Sequence, residues 1–107
     1  MESYIDIEAK DLYDLMANQN IMLVDVRNHD EVMHGMIAGA LHIQLSQLPL
    51  QFESLLQKLP LVFYCHSGVR SAHAADFVCS KGAANVYNLQ GGVLAWGRAG
   101  YPFVAKL

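Results

Sequence analysis

The chain has 107 residues, a net charge of −3, 53% hydrophobic residues and 16% charged residues, a balance that excludes a disordered chain and predicts a single domain over residues 1–107. Its lysine and arginine residues are scattered singly rather than forming a basic stripe, so we expect no nucleic-acid partner. No apolar stretch approaches the roughly 20 residues of a membrane span and the N-terminus does not resemble a signal peptide, so we expect no membrane partner and a cytoplasmic location.

Short apolar runs alternate with segments of helical periodicity along the chain. The five runs are Tyr4–Ile5, Ile21–Val24, Leu41–Ile43, Leu61–Tyr64 and Asn85–Leu89. Runs that are apolar at every position are typical of strands buried on both faces, as in parallel sheets. The alternation of strand and helix therefore predicts an open α/β sheet covered on both sides.

Three helices are predicted between these runs. The first follows an N-cap at Asp6, because apolar residues recur at helical spacing after it. The second covers Asp30 to His34, with Asn28 as its cap. The third covers Ser71 to Lys81 and is closed by Gly82. This last helix follows the fourth apolar run after a short loop.

The loop before the third helix begins with a cysteine, Cys65. In α/β sheets, ligands bind at the carboxyl ends of the strands, where strand meets helix. A nucleophilic cysteine needs a stabilised thiolate, and backbone N–H groups curled around the sulfur, with the positive end of a helix behind them, can provide it. Gly68 supplies backbone freedom, Ser67 a hydroxyl donor and Arg70 a permanent positive charge. The pattern indicates a nucleophile in a cradle that binds an anion.

Three motifs in order resemble those of the rhodanese-type sulfurtransferases. The segment 63–76, FYCHSGVRSAHAAD, resembles the active-site loop of that family. The segment 23–43, LVDVRNHDEVMHGMIAGALHI, resembles its upstream motif, and the segment 89–103, LQGGVLAWGRAGYPF, resembles its C-terminal motif. The resemblance covers nearly the whole chain.

The resemblance implies a three-layer α/β/α fold around a parallel five-stranded sheet, with the fourth strand leading into the catalytic loop. It also implies a ping-pong reaction in which Cys65 takes a sulfane sulfur from a donor such as thiosulfate, carries it as a persulfide, and passes it to cyanide or to a thiol, including a protein thiol. The substrate-binding residues would be the five that follow: His66, Ser67, Gly68, Val69 and Arg70. Their amides would form the cradle, Arg70 would guide the anionic donor, and no cofactor is needed.

The chain departs from the family pattern outside the catalytic positions and in the loop sequence, and the loop departure leaves the substrate preference open. Met36 stands where the family usually has histidine, and the loop sequence His-Ser-Gly-Val-Arg is not the most familiar one for thiosulfate. A persulfide carrier or regulatory interaction module with weak thiosulfate activity is therefore an alternative. A phosphatase or arsenate reductase on the same fold is a weaker one, because those enzymes space cysteine and arginine by five residues, whereas four separate Cys65 from Arg70.

The remaining conspicuous residues have structural interpretations. Cys79 and Trp96 are predicted to lie in the core. An ion pair is predicted from Arg27 to Glu31, four residues later, and Gly91 with its neighbour Gly92 is predicted to form a turn before the last helix. The five histidines are not paired at helical metal-ligand spacing, so we expect no metal site; they are His29, His34, His42, His66 and His73.

Overall fold

The computed structural model describes residues 3–106 as a sheet flanked by helices. The strands are β1 (Ile5–Ile7), β2 (Met22–Asp25), β3 (Leu41–His42), β4 (Leu61–Tyr64) and β5 (Val86–Leu89). The helices are α1 (Ala9–Asn18), α2 (His29–Val32), α3 (Leu48–Gln51), α4 (Val69–Ser80) and α5 (Gly92–Arg98). Two 3₁₀ turns, Leu45–Gln47 and Phe52–Leu55, flank α3.

All strand pairs in the sheet are parallel, in the order β1-β5-β4-β2-β3. The strand β4 is central, and its four residues are all buried, which is why its sequence shows no alternation. Its carboxyl end therefore lies between the carboxyl ends of β5 and β2. The predicted α/β fold with a parallel five-stranded sheet is confirmed.

A hydrophobic cluster covers each face of the sheet. One contains Phe63 of β4 together with apolar side chains of α3 and α4, and Cys79 lies in it, 5% exposed. The other contains Val62 of β4, residues of α1, and Trp96 of α5. Successive strand residues enter opposite clusters because side chains alternate across a strand. The predicted core positions of Cys79 and Trp96 are confirmed.

The first predicted helix boundary is wrong. Asp6 lies inside β1, in register with Asn88 of β5, and the N-cap of α1 is Glu8. Pairing with β5 keeps the chain extended through Asp6, so tertiary contacts override the local capping signal. The other short helix, α2, ends at Val32 rather than His34 because the following amides bond to carbonyls three residues back and tighten the turn.

The helix α4 begins two residues earlier than predicted, at Val69 rather than Ser71. Its N-cap is Gly68, whose φ of 105° places it in the left-handed region. The turn made by Gly68 redirects the chain into the helix at once, so Arg70 and Ser71 lie in the first helical turn. No helix in residues 3–106 combines the length and the apolar character needed to cross a membrane.

Candidate active site

Cys65 is the first residue after β4, at the carboxyl end of the central strand. Its side chain is buried, with 1% of the residue exposed. The Sγ atom accepts a hydrogen bond from the amide of Gly68 at 3.1 Å and another from the hydroxyl of Ser71 at 3.3 Å. The sulfur is therefore buried beneath the loop, but with polar donors directed at it.

Hydrogen bonding to the sulfur lowers the pKa of Cys65. Burial is the largest single influence and raises this pKa, because it disfavours the charged thiolate. The hydroxyl and amide of Ser71, with the amides of Gly68 and Ser67, act in the opposite direction and together outweigh it. The loop thus stabilises a negative sulfur by donors that carry no net charge.

Gly68 is needed where the loop enters α4. An L side chain rarely adopts its φ of 105°, and a Cβ atom there would lie 3.2 Å from the amide nitrogen of Gly91. The same left-handed turn places the Gly68 amide toward Sγ. One glycine therefore serves both the helix start and the sulfur contact.

The N-terminal turn of α5 holds the carbonyl groups of the loop. The amide of Val93 donates to the carbonyl of Cys65 at 3.0 Å, and the amide of Leu94 donates to the carbonyl of His66 at 3.3 Å. Gly92 permits this approach, because a Cβ atom on it would lie 2.4 Å from the Cys65 carbonyl oxygen. With these carbonyls bonded to α5, the amides that follow them in the loop can face the sulfur.

Arg70 in α4 is paired with Glu31 in α2. Its two terminal nitrogens contact the two carboxylate oxygens at 2.6 and 2.8 Å, and about a third of each side chain is exposed. Glu31 also accepts the amide of Asn28 at 3.0 Å. Hydrogen bonding from Arg70, ahead of the opposing effect of burial, lowers the pKa of Glu31 to about 2.

The predicted ion pair between Arg27 and Glu31 is wrong. Arg27 is buried and folds back onto Asp25, two residues earlier, with the Nη2–Oδ2 pair at 2.8 Å, and Nη2 also donates to the carbonyl of Gly35 at 2.7 Å. Asp25 is fully buried, and a buried carboxylate without a positively charged partner would be strongly destabilising, so it pairs with the nearby guanidinium of Arg27. Glu31 is therefore left to pair across helices with Arg70.

Comparison with known proteins assigns the family. A family model of the rhodanese-like domain matches residues 8–99. The chain belongs to the rhodanese-like family. A sulfurtransferase from Allochromatium vinosum is 35% identical to this rhodanese-like chain over 101 residues, 94% of each chain.

Two further proteins resemble this rhodanese-like chain. The thiosulfate sulfurtransferase GlpE of Shewanella oneidensis is 29% identical over 99 residues, 92% of this chain and 98% of that one. The crystal structure of a rhodanese-related protein from Thermoplasma volcanium has a TM-score of 0.86 at 32% identity, covering 96% of this chain and all of the other.

The sequence-predicted loop residues of this rhodanese-like domain lie in two environments. Gly68 is buried under the turn, whereas His66, Ser67 and Val69 are exposed. His66 also lines a cavity of about 400 Å³ whose walls include Val93 and, from other parts of the chain, Arg27, Glu31, His34, Gly35 and Phe103. The three exposed side chains are the part of the loop that solvent reaches.

Sequence reasoning missed three residues at this rhodanese-like site. The sequence predicts Ser71 only as the start of a helix, although a hydroxyl in the first helical turn after a cysteine loop can point back to the sulfur. The predicted turn before the last helix holds for Gly91, the N-cap of α5, but is wrong for Gly92, which is the first residue of α5; its close approach to the Cys65 carbonyl depends on tertiary packing. Asn88 on β5 donates from Nδ2 to the carbonyl of Gly68 at 3.2 Å, which no local pattern indicates.

Proposed function

We propose that this protein is a sulfurtransferase that carries a sulfane sulfur as a persulfide on Cys65. The observation that carries the proposal is the direction of the donors: the Gly68 amide and the Ser71 hydroxyl both point at Sγ. A sulfur held in this way is favoured as an anion, and the thiolate is the nucleophilic form of cysteine. The names of the sulfurtransferase relatives support the same chemistry.

In the first half-reaction the Cys65 thiolate attacks the outer sulfur of a donor such as thiosulfate. The new bond joins Sγ to that sulfur, the sulfur–sulfur bond of thiosulfate breaks, and its electron pair leaves with sulfite. The enzyme then holds a persulfide anion. Amides of the loop can stabilise the terminal sulfur as they stabilise the thiolate, without a proton transfer.

In the second half-reaction a thiophilic acceptor attacks the terminal sulfur. Cyanide leaves as thiocyanate, and an acceptor thiolate leaves as a new persulfide. In both cases the bond to Sγ breaks and its electron pair returns to Cys65, which restores the starting thiolate. Covalent catalysis of this kind divides one transfer into two easier steps and needs no cofactor.

The other predicted loop residues have proposed roles in binding. The exposed residues His66, Ser67 and Val69 would contact the donor as it approaches, and Gly68 would supply its amide. Arg70 would add positive potential at the rim, attenuated by its carboxylate partner Glu31. The donor is thus attracted at the rim and its sulfur is transferred beneath the loop.

Intact-mass spectrometry tests the proposal. After thiosulfate treatment and removal of excess reagent, the wild-type protein should gain one sulfur atom, which cyanide then removes as thiocyanate. Cys65→Ser should gain none while keeping the circular dichroism spectrum of the wild type, and Cys79→Ser should load normally. Loading of the Cys65→Ser protein would contradict the assignment of the nucleophile.

A persulfide carrier that delivers sulfur to a protein thiol is the second candidate function. The observation that favours it is the ion pair of Arg70 with Glu31, because a neutralised arginine attracts a small anionic donor less strongly. The two functions share the Cys65 persulfide and differ in the acceptor. Faster discharge of the loaded protein by a reduced protein dithiol than by cyanide would support the carrier.

Phosphate-ester hydrolysis is not favoured by the loop. Four residues separate Cys65 from Arg70, and the arginine already contacts Glu31 with both terminal nitrogens. Turnover of a chromogenic phosphate ester that is lost in Cys65→Ser would revive this alternative.

A further inference from the structure

Asn88 is a buried polar residue at the carboxyl end of β5, with 4% of its surface exposed. Its Nδ2 atom donates to the carboxylate of Asp6 on β1 at 3.0 Å and to the carbonyl of Gly68 at 3.2 Å. The side chain therefore joins an edge strand to the loop that holds Cys65.

The Oδ1 atom of Asn88 is buried without a hydrogen-bond partner. Turning the amide over would place Oδ1 against the oxygens of Asp6 and Gly68, both of which only accept, so the observed orientation is the one these two acceptors impose. A buried polar atom without a partner is costly and calls for an explanation. The orientation in which Nδ2 donates to both oxygens leaves Oδ1 facing no donor among residues 3–106.

Gly68 connects this contact to the sulfur. Its amide donates to Sγ at 3.1 Å, and its carbonyl accepts from Asn88 and, at 3.2 Å, from the amide of Ala72. Glycine has no Cβ atom and more backbone freedom than any other residue, so its own structure does not fix the direction of its amide. A lateral hydrogen bond on the carbonyl restricts the rotation that would move the amide away from Sγ.

We propose that Asn88 is a positioning residue for the Cys65 thiolate, acting through the Gly68 carbonyl and held in orientation by Asp6. Asn88 does not contact the sulfur itself. It keeps the Gly68 amide directed at Sγ, so the thiolate and the persulfide keep a donor. The kinetic consequence rests on the proposed sulfur transfer, whereas the effect on the thiol does not.

The test measures the pKa of Cys65 in Asn88→Ala from the pH dependence of iodoacetamide alkylation, with the product at Cys65 identified by peptide mass spectrometry. We expect the midpoint to rise by about one pH unit, a tenfold loss of thiolate at neutral pH. The matched control is Val86→Ala, because Val86 is buried on the same strand but its aliphatic side chain cannot hydrogen-bond to the loop. Its midpoint should stay at the wild-type value.

Two results would overturn the proposal: an unchanged midpoint in folded Asn88→Ala, or an equal rise in Val86→Ala, which would indicate general loosening of β5. Should Asn88→Ala fail to fold, the wild-type protein decides the question by NMR. The Asn88 side-chain amide and the Gly68 amide should then titrate together with the midpoint of Cys65, and independence of the two signals would refute the link.

Sulfur loading and the alkylation midpoints, measured together, separate this inference from the proposed function. If the wild-type protein gains no sulfur from thiosulfate or from an organic persulfide, the sulfurtransferase proposal fails while the alkylation midpoints still decide the role of Asn88. If sulfur loads and the midpoints do not move, only the positioning role fails.

Discussion

Glu31 in α2 and Arg70 in α4 meet in a two-point ion pair, with nitrogen–oxygen distances of 2.6 and 2.8 Å, although 39 residues separate them in sequence. The pair joins a short helix after β2 to the first turn of the helix after the cysteine loop. Because it lies at the rim of the candidate site, we expect it to affect both the stability of the loop and the charge at that rim.

The stability of the protein should fall in acid partly through Glu31. Its pKa is lowered from an ordinary 4.5 to about 2 by the bond from Arg70, so its contribution to stability is full above about 4.5 and is lost as the pH falls toward about 2. Solvent screening at this partly exposed pair limits the contribution to about 1 kcal/mol. Urea unfolding at several pH values should show a smaller acid loss in Glu31→Gln than in the wild type.

Glutamine is the informative replacement at position 31 because it can still accept the amide of Asn28. The same urea unfolding series gives the contradicting outcome. If the free energy of unfolding falls in parallel for Glu31→Gln and the wild type between pH 5 and 2, the ion pair contributes nothing to acid sensitivity.

Removing the negative charge of Glu31 should improve the use of thiosulfate. The guanidinium of Arg70 would then face solvent without a balancing carboxylate, so an anionic donor should bind more tightly. Steady-state assays should show KM for thiosulfate reduced about threefold in Glu31→Gln and raised in Arg70→Ala, with a much smaller change for an uncharged organic persulfide. Equal changes for both donors would show that charge is not the cause.

Loss of the Ser71 hydroxyl should raise the pKa of Cys65. A hydrogen bond to a charged acceptor contributes about 1.5 kcal/mol or more, which corresponds to about one pH unit for Ser71→Ala. Sulfur transfer should fall at neutral pH and recover at higher pH, where the thiolate forms without help. Ser80→Ala is the control, because Ser80 lies at the exposed end of the same helix and bonds to the carbonyl of Phe77. A rate deficit that persists at high pH would argue for a different role of Ser71.

Gly92→Ala should damage the site and the fold together. The new Cβ would lie 2.4 Å from the Cys65 carbonyl oxygen and 2.5 Å from that of His66, so the loop or α5 must move. We expect a loss of at least about 2 kcal/mol in the free energy of unfolding, measured with urea, and loss of sulfur loading.

Gly39→Ala separates the collision from backbone strain. Gly39 also has a positive φ, 84°, but nothing lies within 4 Å of a Cβ built there. The control should therefore lose only the cost of a left-handed alanine, about 1–2 kcal/mol, and keep sulfur loading. Equal losses in the two variants would mean that the close approach to the loop does not matter.

Buried, continuous signals allowed the fold to be predicted. The run Leu61–Tyr64 matches β4 at both ends because every side chain in it is buried, and the position of Cys65 at the carboxyl end of that strand follows directly. The prediction of Asp6 as an N-cap is wrong because aspartate at a helix cap and aspartate in a strand give the same local signal until the pairing with β5 is known. Local patterns thus locate the elements well, but they locate poorly those element ends that depend on tertiary contacts.

The partners of charged and polar groups could not be predicted in the same way. The four-residue spacing of Arg27 and Glu31 indicates a helical ion pair, but α2 begins after Arg27. The Arg27 guanidinium pairs instead with the buried carboxylate of Asp25. Ser71 and Asn88 reach the cysteine loop through a helix turn and a neighbouring strand. Such contacts depend on how elements assemble, so sequence spacing alone does not reveal them.

The central position of β4 has a consequence for how the protein opens. Amides of a strand bonded on both sides are expected to exchange with solvent only in near-global unfolding, whereas a three-residue edge strand such as β1 opens in small local events. Cys65 is thus attached to a strand whose amides are expected to exchange slowly, while Asp6 lies on an edge strand that is expected to open early. Opening of β1 would release Asp6 from Asn88, which we propose holds the Gly68 amide at the sulfur. Mild denaturant should therefore slow alkylation of the Cys65 thiol before the circular dichroism signal changes.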